Sequence, residues 1–584
     1  MKKTRILSLF VLVMLFAIKG NAQMIPMGFA FFQDELRRCQ LKGQVDSNVS
    51  YLIQPVHPNR AFGVKSTWNK DEVLTPYDTT KRTKYTKWAN KWLHAELIPF
   101  EMKFRYNQHH PYGWNDGAMI PSKGRQLYVS SGLFISSKYK FLGIEAQWKP
   151  ELVQAQNLEF LNPPFRSRSI DFPERMGQDP YRQSFRGQSY VHVHAGPISI
   201  GYGTENVTWG AGRKNNIILS NNAPGFGHFT LHTNKPIKIS ALGTFEGQML
   251  GGKLRPSGFK YPLRYTAGEW PPIAGDVVVD SLAPEFYSYF TGTKGVYQPK
   301  WLPGLFLGAS RIVQIGGEPT SYRSYFENLY LGAKGEQTGG GPDSGYINRN
   351  QLVSISFRYL MPKAQFELYG EVGREDWAWD FEDLMTRPAN TTAWMLGFRK
   401  LQAIPNQKAI LEFSAEVTKI QAPMHNYGNG SSFTSGVYSF YMAGGGGSKS
   451  KGWTNRGQVL GAGIGPGSNM TTVGIKKIEG FNTIGLSIER VAYNQDLFYS
   501  SLDYLQLSPN NPVHKDFSKH FIDWGFIFNY QRKYGHFLVG YNVHLLRTYN
   551  FNWYYDPDGK PGDFRFPGIN VWSLNLNLSA VYLF

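Results

Sequence analysis

Four glutamates stand in two pairs at i, i+4 spacing: Glu367 with Glu371, and Glu412 with Glu416. Each alternates with apolar residues, so all four point to the face opposite the apolar one. Two such carboxylates would suit a glycosidase, one as acid and the other as base or nucleophile. The same residues also suit a Glu–Arg network, for which Arg213, Arg358, Arg374, Arg399 and Arg456 are available. We read Glu367, Glu371, Glu412, Glu416 and Arg374 as a structural network rather than a catalytic set.

A second constellation is Trp209-Gly210-Ala211-Gly212-Arg213, followed by Asn221 and Asn222. An indole ring can stack on a sugar face, and a guanidinium fork can pair with a uronate carboxylate. Side-chain amides offer both donors and acceptors to hydroxyls. Trp453 and Arg456 join Trp209, Arg213, Asn221 and Asn222 as candidate glycan contacts. The competing role for these residues is internal anchoring.

Other chemistry is weaker. His192 and His194 share a strand face and His228 lies near His232, but further ligands at metal spacing are missing, so polar packing is expected. Asp556, Asp558 and Asp563 read as a turn, not a calcium loop. Gly461, Gly463, Gly465 and Gly467 lack the strand–turn–helix context of a phosphate loop. No Gly-x-Ser-x-Gly is present, and the one cysteine, Cys39, excludes an internal disulfide and any CxxC site. No metal, cofactor or enzymatic activity is expected.

The elements that must carry these groups are strands. Trp572, Leu574, Leu576, Leu578, Ala580, Tyr582 and Phe584 alternate with Ser573, Asn575, Asn577 and Ser579. This is period 2 over the length of a membrane-crossing strand, about 9–11 residues, ending on an aromatic residue. The pattern recurs at Leu411–Thr418, Phe366–Val372, Ile522–Tyr530 and Phe537–Val543. Short connections at Gln531–Gly535, Ser136–Lys140 and Met361–Ala364 contrast with long polar loops such as Gly332–Asn350, Ala443–Gly452, Ser508–Asp516 and Asp556–Asp563. Short turns on one rim and long loops on the other are the bacterial barrel arrangement.

Composition agrees. Aromatics make up 15% and charged residues 18%, against about 25% charged in ordinary soluble chains. Lipid-facing positions exclude charge, and interfacial girdles absorb Trp and Tyr. Lys2, Lys3 and Arg5 precede the apolar run Ile6–Ile18, and Gly20 and Ala22 suit cleavage before Gln23. That run is too short to span a bilayer, so residues 1–22 read as a secretory signal. Its removal takes Lys2, Lys3, Arg5 and Lys19, lowering the net charge from +19 to +15. Residues 23–126, with a short helix at Thr86–Leu97, are expected to form a periplasmic or plugging part that leads into the first strand. Residues 127–584 then hold about 18 strands at roughly 25 residues each. The expected class is an all-β, transmembrane, antiparallel outer-membrane β-barrel.

The tract TWGAGRKNNIILSNNAPGF resembles the signature of Wzi-type capsule-assembly outer-membrane proteins, in which W-G-x-G precedes L-S-N-N-A. HHPYGWNDGAMIPSKG at His109–Gly124 and WTNRGQVLGAGIGPGSN at Trp453–Asn469 are similar to the Bacteroidetes branch of that family. The resemblance implies an 18-stranded barrel with a plugged lumen and a helical part. It also implies a lectin-like role in holding capsular polysaccharide, and relatives in gliding bacteria are associated with motility.

The expected function is binding of surface polysaccharide, with capsule assembly, by an integral protein of the outer membrane. The basic balance suits an acidic capsule or lipopolysaccharide. The other expected partners are outer-membrane lipid and the barrel assembly machinery. A gliding-motility role and a transport channel are the alternatives. Nucleic acid is disfavoured by location.

Overall fold

The strand Val571–Tyr582 pairs along one edge with Phe537–Tyr549 and along the other with Leu93–Asn107. The last strand thus meets the first, and the sheet closes without a free edge. Our computed structural model describes residues 30–56, 87–89, 93–139, 142–156, 180–258, 287–316, 349–375, 385–386, 392–421, 452–465, 467–495, 520–551 and 570–582. The proposed signal segment 1–22, Phe584 and most of the four named long loops lie outside them.

Among the described residues the barrel has eighteen antiparallel strands. In chain order these are β1 Leu93–Asn107, β2 Gly124–Tyr139, β3 Leu142–Trp148 resumed at Glu151–Ala155, and β4 Tyr181–Phe185 resumed at Tyr190–Ala195. There follow β5 Ile198–Gly203, β6 His228–Thr233 continued by Ile237–Ile239, β7 Gly243–Leu254, β8 Ser288–Pro299 and β9 Leu305–Gly316. Next come β10 Arg349–Met361, β11 Phe366–Glu375, β12 Thr392–Ala403, β13 Ile410–Lys419 and β14 Asn469–Glu479. The last four are β15 Asn482–Tyr493, β16 Phe521–Tyr534, β17 Phe537–Tyr549 and β18 Val571–Tyr582. Closure matters because each unpaired backbone group in hydrocarbon costs several kcal/mol.

Side chains divide by pleat. Ile355, Val473, Leu486, Ile488 and Phe526 are exposed on the outer face, whereas Glu412, Glu416 and Thr418 are buried within. The β14–β15 and β16–β17 hairpins turn through Gly480 (φ +59°) and Gly535 (φ +56°), left-handed positions that favour glycine. These short turns share one rim, and the strand ends that the long connections join lie at the other. By the arrangement of bacterial barrels, the long-loop rim is extracellular.

The barrel begins earlier than residue 127, and the expected helix at Thr86–Leu97 is replaced by strand, Lys87–Ala89 and β1. From Phe100 to Asn107 apolar and polar residues alternate strictly, with Glu101, Arg105 and Asn107 buried in the lumen. Pro99, which lacks an N–H, coincides with a register shift between Ile98 and Glu101. That shift breaks the alternation in mid-strand. The helix of the N-terminal region is instead α1, Ala30–Leu41. It lies inside the barrel near the short-turn rim. Its Phe32 and Leu36, one turn apart, pack with Phe481, Leu538 and Val581 of the wall.

Candidate functional site

Three loops from the extracellular rim fold inward and knit together above α1: residues 108–123, 204–227 and 452–465 with 467–468. They contain the three tracts singled out in the sequence. Asn221 and Asn222 form the joint. Asn221 Nδ2 donates to the Asn115 carbonyl at 3.0 Å, and Asn222 Oδ1 accepts from the Asn115 backbone N–H at 3.1 Å. Asn222 Nδ2 donates to the Val459 carbonyl at 3.1 Å, and the Ser220 N–H to that of Leu460 at 2.7 Å. Gly463 is required by proximity, since a Cβ there would come within 2.5 Å of Trp114.

Both candidate indoles serve this clasp. Trp209 is fully buried, donates from Nε1 to Gln248 Oε1 at 2.8 Å, and lies under Gly292 of β8. Trp453, also fully buried, donates to the Ile218 carbonyl at 2.7 Å and packs edge-on against Phe290. Neither ring presents a face to a ligand. The sequence gives the ring but not the loops that cover it.

Arg213 is likewise an anchor. Its guanidinium binds Asp34 of α1 at 2.8 Å and Glu412 of β13 at 3.2 Å, tying an extracellular loop to the helix near the opposite rim. The glutamates complete this lock. Glu367 pairs with Arg37 at 3.1 Å, Arg358 at 2.7 Å and Arg399 at 3.5 Å. Glu412 adds Arg38 at 3.6 Å, and Glu371 accepts from the Ile217 N–H and the Ser354 hydroxyl. Glu416 accepts three consecutive backbone N–H groups, from Arg213, Lys214 and Asn215, at 2.7–3.0 Å, and the Tyr369 hydroxyl at 3.0 Å. Arg374 does not belong to this network. It lies three positions beyond Glu371 on β11, and the pleat places it on the other side of the sheet.

Burial acts to raise the pKa of Asp34, but the guanidiniums of Arg213, Arg399 and Arg38 prevail and hold it well below the usual carboxylate range. A depressed folded value contributes stability fully above the unfolded value of ~3.9, and that contribution is lost as pH falls through the folded value. Protection of α1 from protease is therefore expected to persist at about pH 5 and fail only in stronger acid. Loss already at about pH 5 would contradict this lock.

The extracellular rim presents a different arrangement around Arg456. This residue sits at φ +52° in the turn between Thr454–Asn455 and Gln458–Val459. Its N–H donates to the Arg255 carbonyl at 2.7 Å, and the Arg255 N–H to Asn455 Oδ1 at 3.0 Å. The Arg456 guanidinium lies 5.1 Å over the Phe185 ring and reaches Gln183 Oε1 at 3.4 Å. Burial, and then the like charge of Arg255, pull its pKa below the ordinary value. Among the described residues neither arginine forms an ion pair with a carboxylate. Lys253, on the same rim, stands 3.9 Å over the Tyr287 ring. Arg255, Lys253 and Tyr287 were not singled out in the sequence. Only a lone Arg after the apolar end of β7 hinted at them.

The histidines are wall residues. His192 and His228 face Glu205 at 3.2 and 3.6 Å, and His194 faces Glu145 at 3.1 Å. Among the described residues no cluster of three or more His, Cys, Asp or Glu could hold a metal ion. Asp556, Asp558 and Asp563 lie outside them.

A family model described as capsule assembly protein Wzi matches residues 115–519. Among solved structures the chain is similar to Wzi of Escherichia coli, described as an outer-membrane protein involved in group 1 capsule assembly and a carbohydrate-binding β-barrel. Identity is 12% and the TM-score 0.54, over 95% of this chain and 98% of that one. OprD of Pseudomonas aeruginosa matches at 11% identity and TM-score 0.37, over 84% and 92% of the two chains. No curated protein sequence matches the chain.

Proposed function

The chain belongs to the capsule assembly protein Wzi family, whose model spans most of its length, and from that premise we propose that it holds an acidic surface polysaccharide at its extracellular rim. The observation that carries this reading is the apposition of Arg255 and Arg456 beside the Phe185 ring, with no carboxylate paired to either among the described residues. Like charges placed together at a surface favour an anionic ligand, and a guanidinium fork matches a uronate carboxylate or a phosphate. A repeating polymer adds avidity across many weak contacts. The glycan contacts thus move from Trp209, Arg213, Asn221, Asn222 and Trp453 to Arg456 and Arg255.

No catalytic role is assigned. Each of the four glutamates is engaged with guanidiniums, backbone amides or hydroxyls, so neither of these two pairs stands open to a substrate. The filled lumen argues against an open transport channel. The apolar outer band suits outer-membrane lipid, and insertion of such a barrel calls on the assembly machinery of that membrane.

Cells carrying Arg255→Ala with Arg456→Ala are expected to shed acidic surface polysaccharide into the medium while the barrel level in the outer membrane stays unchanged. Normal retention at normal barrel level would remove this pair from the function.

A further inference from the structure

A lumen cavity of about 330 Å³ lies between the folded loops and the wall formed by β1 and β15–β18. It runs from Trp114 to Phe31 of α1 and is distinct from the extracellular patch around Arg456. One rung of its wall is a row of amides in register across adjacent strands: Asn529 on β16 opposes Asn542 on β17, which opposes Asn577 on β18. With strands about 4.8 Å apart, the three amides span about 10 Å. Arg105 on β1 ends the row and donates to Asn577 Oδ1 at 2.7 Å. Asn529 donates to Ser487 at 3.3 Å. Asn542 in the middle has no hydrogen-bond partner among the described residues, so its donors and acceptor face the cavity. Trp114, half-buried, also lines the cavity, with Tyr112 tilted against it at 4.9 Å.

The charged groups around this space are each engaged with one of opposite sign. Glu101 pairs with Lys103 at 3.0 Å and Lys149 at 3.2 Å, Lys214 pairs with Glu489 at 3.0 Å, and Arg105 pairs with Asp116. What remains for a ligand is amide and ring: acceptors and donors for hydroxyls, and a flat apolar face for C–H groups. A volume at the lower end of the ~300–1,000 Å³ range of ligand pockets suits one or two sugar rings and not a polymer.

We infer that this cavity is a second saccharide site, taking a short neutral sugar on the Asn529–Asn542–Asn577 row with a ring face against Trp114. It shares the carbohydrate-binding reading of the extracellular rim but uses a different wall, a different ligand charge and different residues.

Calorimetric titration of the full-length, detergent-purified protein with maltose, lactose and cellobiose tests it. At least one disaccharide is expected to bind saturably. Asn542→Leu and Trp114→Ala should each weaken it tenfold or more, while Arg255→Ala with Arg456→Ala leaves it unchanged. Because the Asn542 amide bonds to no other side chain or backbone group among the described residues, its variant should keep the wild-type heat-modifiable gel shift; should it fail to fold, Asn542→Ser decides. The inference is overturned if none of the three sugars saturates, if the folded Asn542 variant binds like wild type, or if digalacturonate binds more tightly than every neutral disaccharide. It is also overturned if the arginine pair abolishes disaccharide binding. Loss of polysaccharide retention with disaccharide binding intact would bear on the extracellular rim alone.

Discussion

Glu367→Ala is expected to free α1 from the lumen while leaving the barrel closed. The carboxylate is fully buried and meets Arg37, Arg358 and Arg399 at once. Removing it leaves three guanidiniums with Asp34 and Glu412 as the nearby acids, and breaking a buried ion pair from one side costs about 3–5 kcal/mol. The strand ladders do not depend on it, because β11 keeps its backbone pairing with β10 and β12. Planar-bilayer recordings should therefore change from silent to stepwise conducting, and trypsin should gain access to Arg37 and Arg38. A silent variant with α1 still protected would contradict the lock.

Glu416→Ala should act on the other side of the plug, with a cost of about 2–4 kcal/mol. Its carboxylate satisfies three successive N–H groups and a tyrosine hydroxyl. Bonds to a charged acceptor contribute roughly 1.5–3 kcal/mol each, and water in the adjoining cavity of about 270 Å³ recovers part of that. Hydrogen exchange at Arg213–Asn215 should accelerate, and the gel shift that reports unfolding should occur at lower temperature. Unchanged exchange would show that the loop is held by its other contacts.

The barrel was legible because membrane strands repeat a local signal. Glu412 and Glu416 face inward as Phe413 faces out, and period 2 suffices to say so. Where a bulge interrupts that period, as at Pro99, β1 was missed although Phe100–Asn107 alternates cleanly. The inward placement of Glu367, Glu371, Glu412 and Glu416 followed from alternation, but Arg374 needed its parity counted along the strand. The plug was not legible in the same way. Asn115, Asn222 and Val459 meet through connections of more than a hundred residues, and no local pattern encodes that meeting. Trp209 and Trp453 therefore looked like sugar platforms until the loops that bury them were placed. Arg456 was legible as a residue, but its partner Arg255 was not, because a shared backbone hydrogen bond between two loops joins them.

Arg213 anchors the plug, and the proposed glycan contacts are Arg255 and Arg456. Equilibrium binding of polygalacturonate to purified protein, with neutral dextran as control, tests this most directly. The wild type should bind polygalacturonate in a salt-sensitive manner, since Arg255 is exposed and Arg456 only partly buried, within reach of screening ions. Arg255→Ala with Arg456→Ala should weaken it by about tenfold, roughly 1.4 kcal/mol for the pair, with the gel shift unchanged. Equal binding by wild type and this folded double variant, or equal affinity for dextran, would contradict the account.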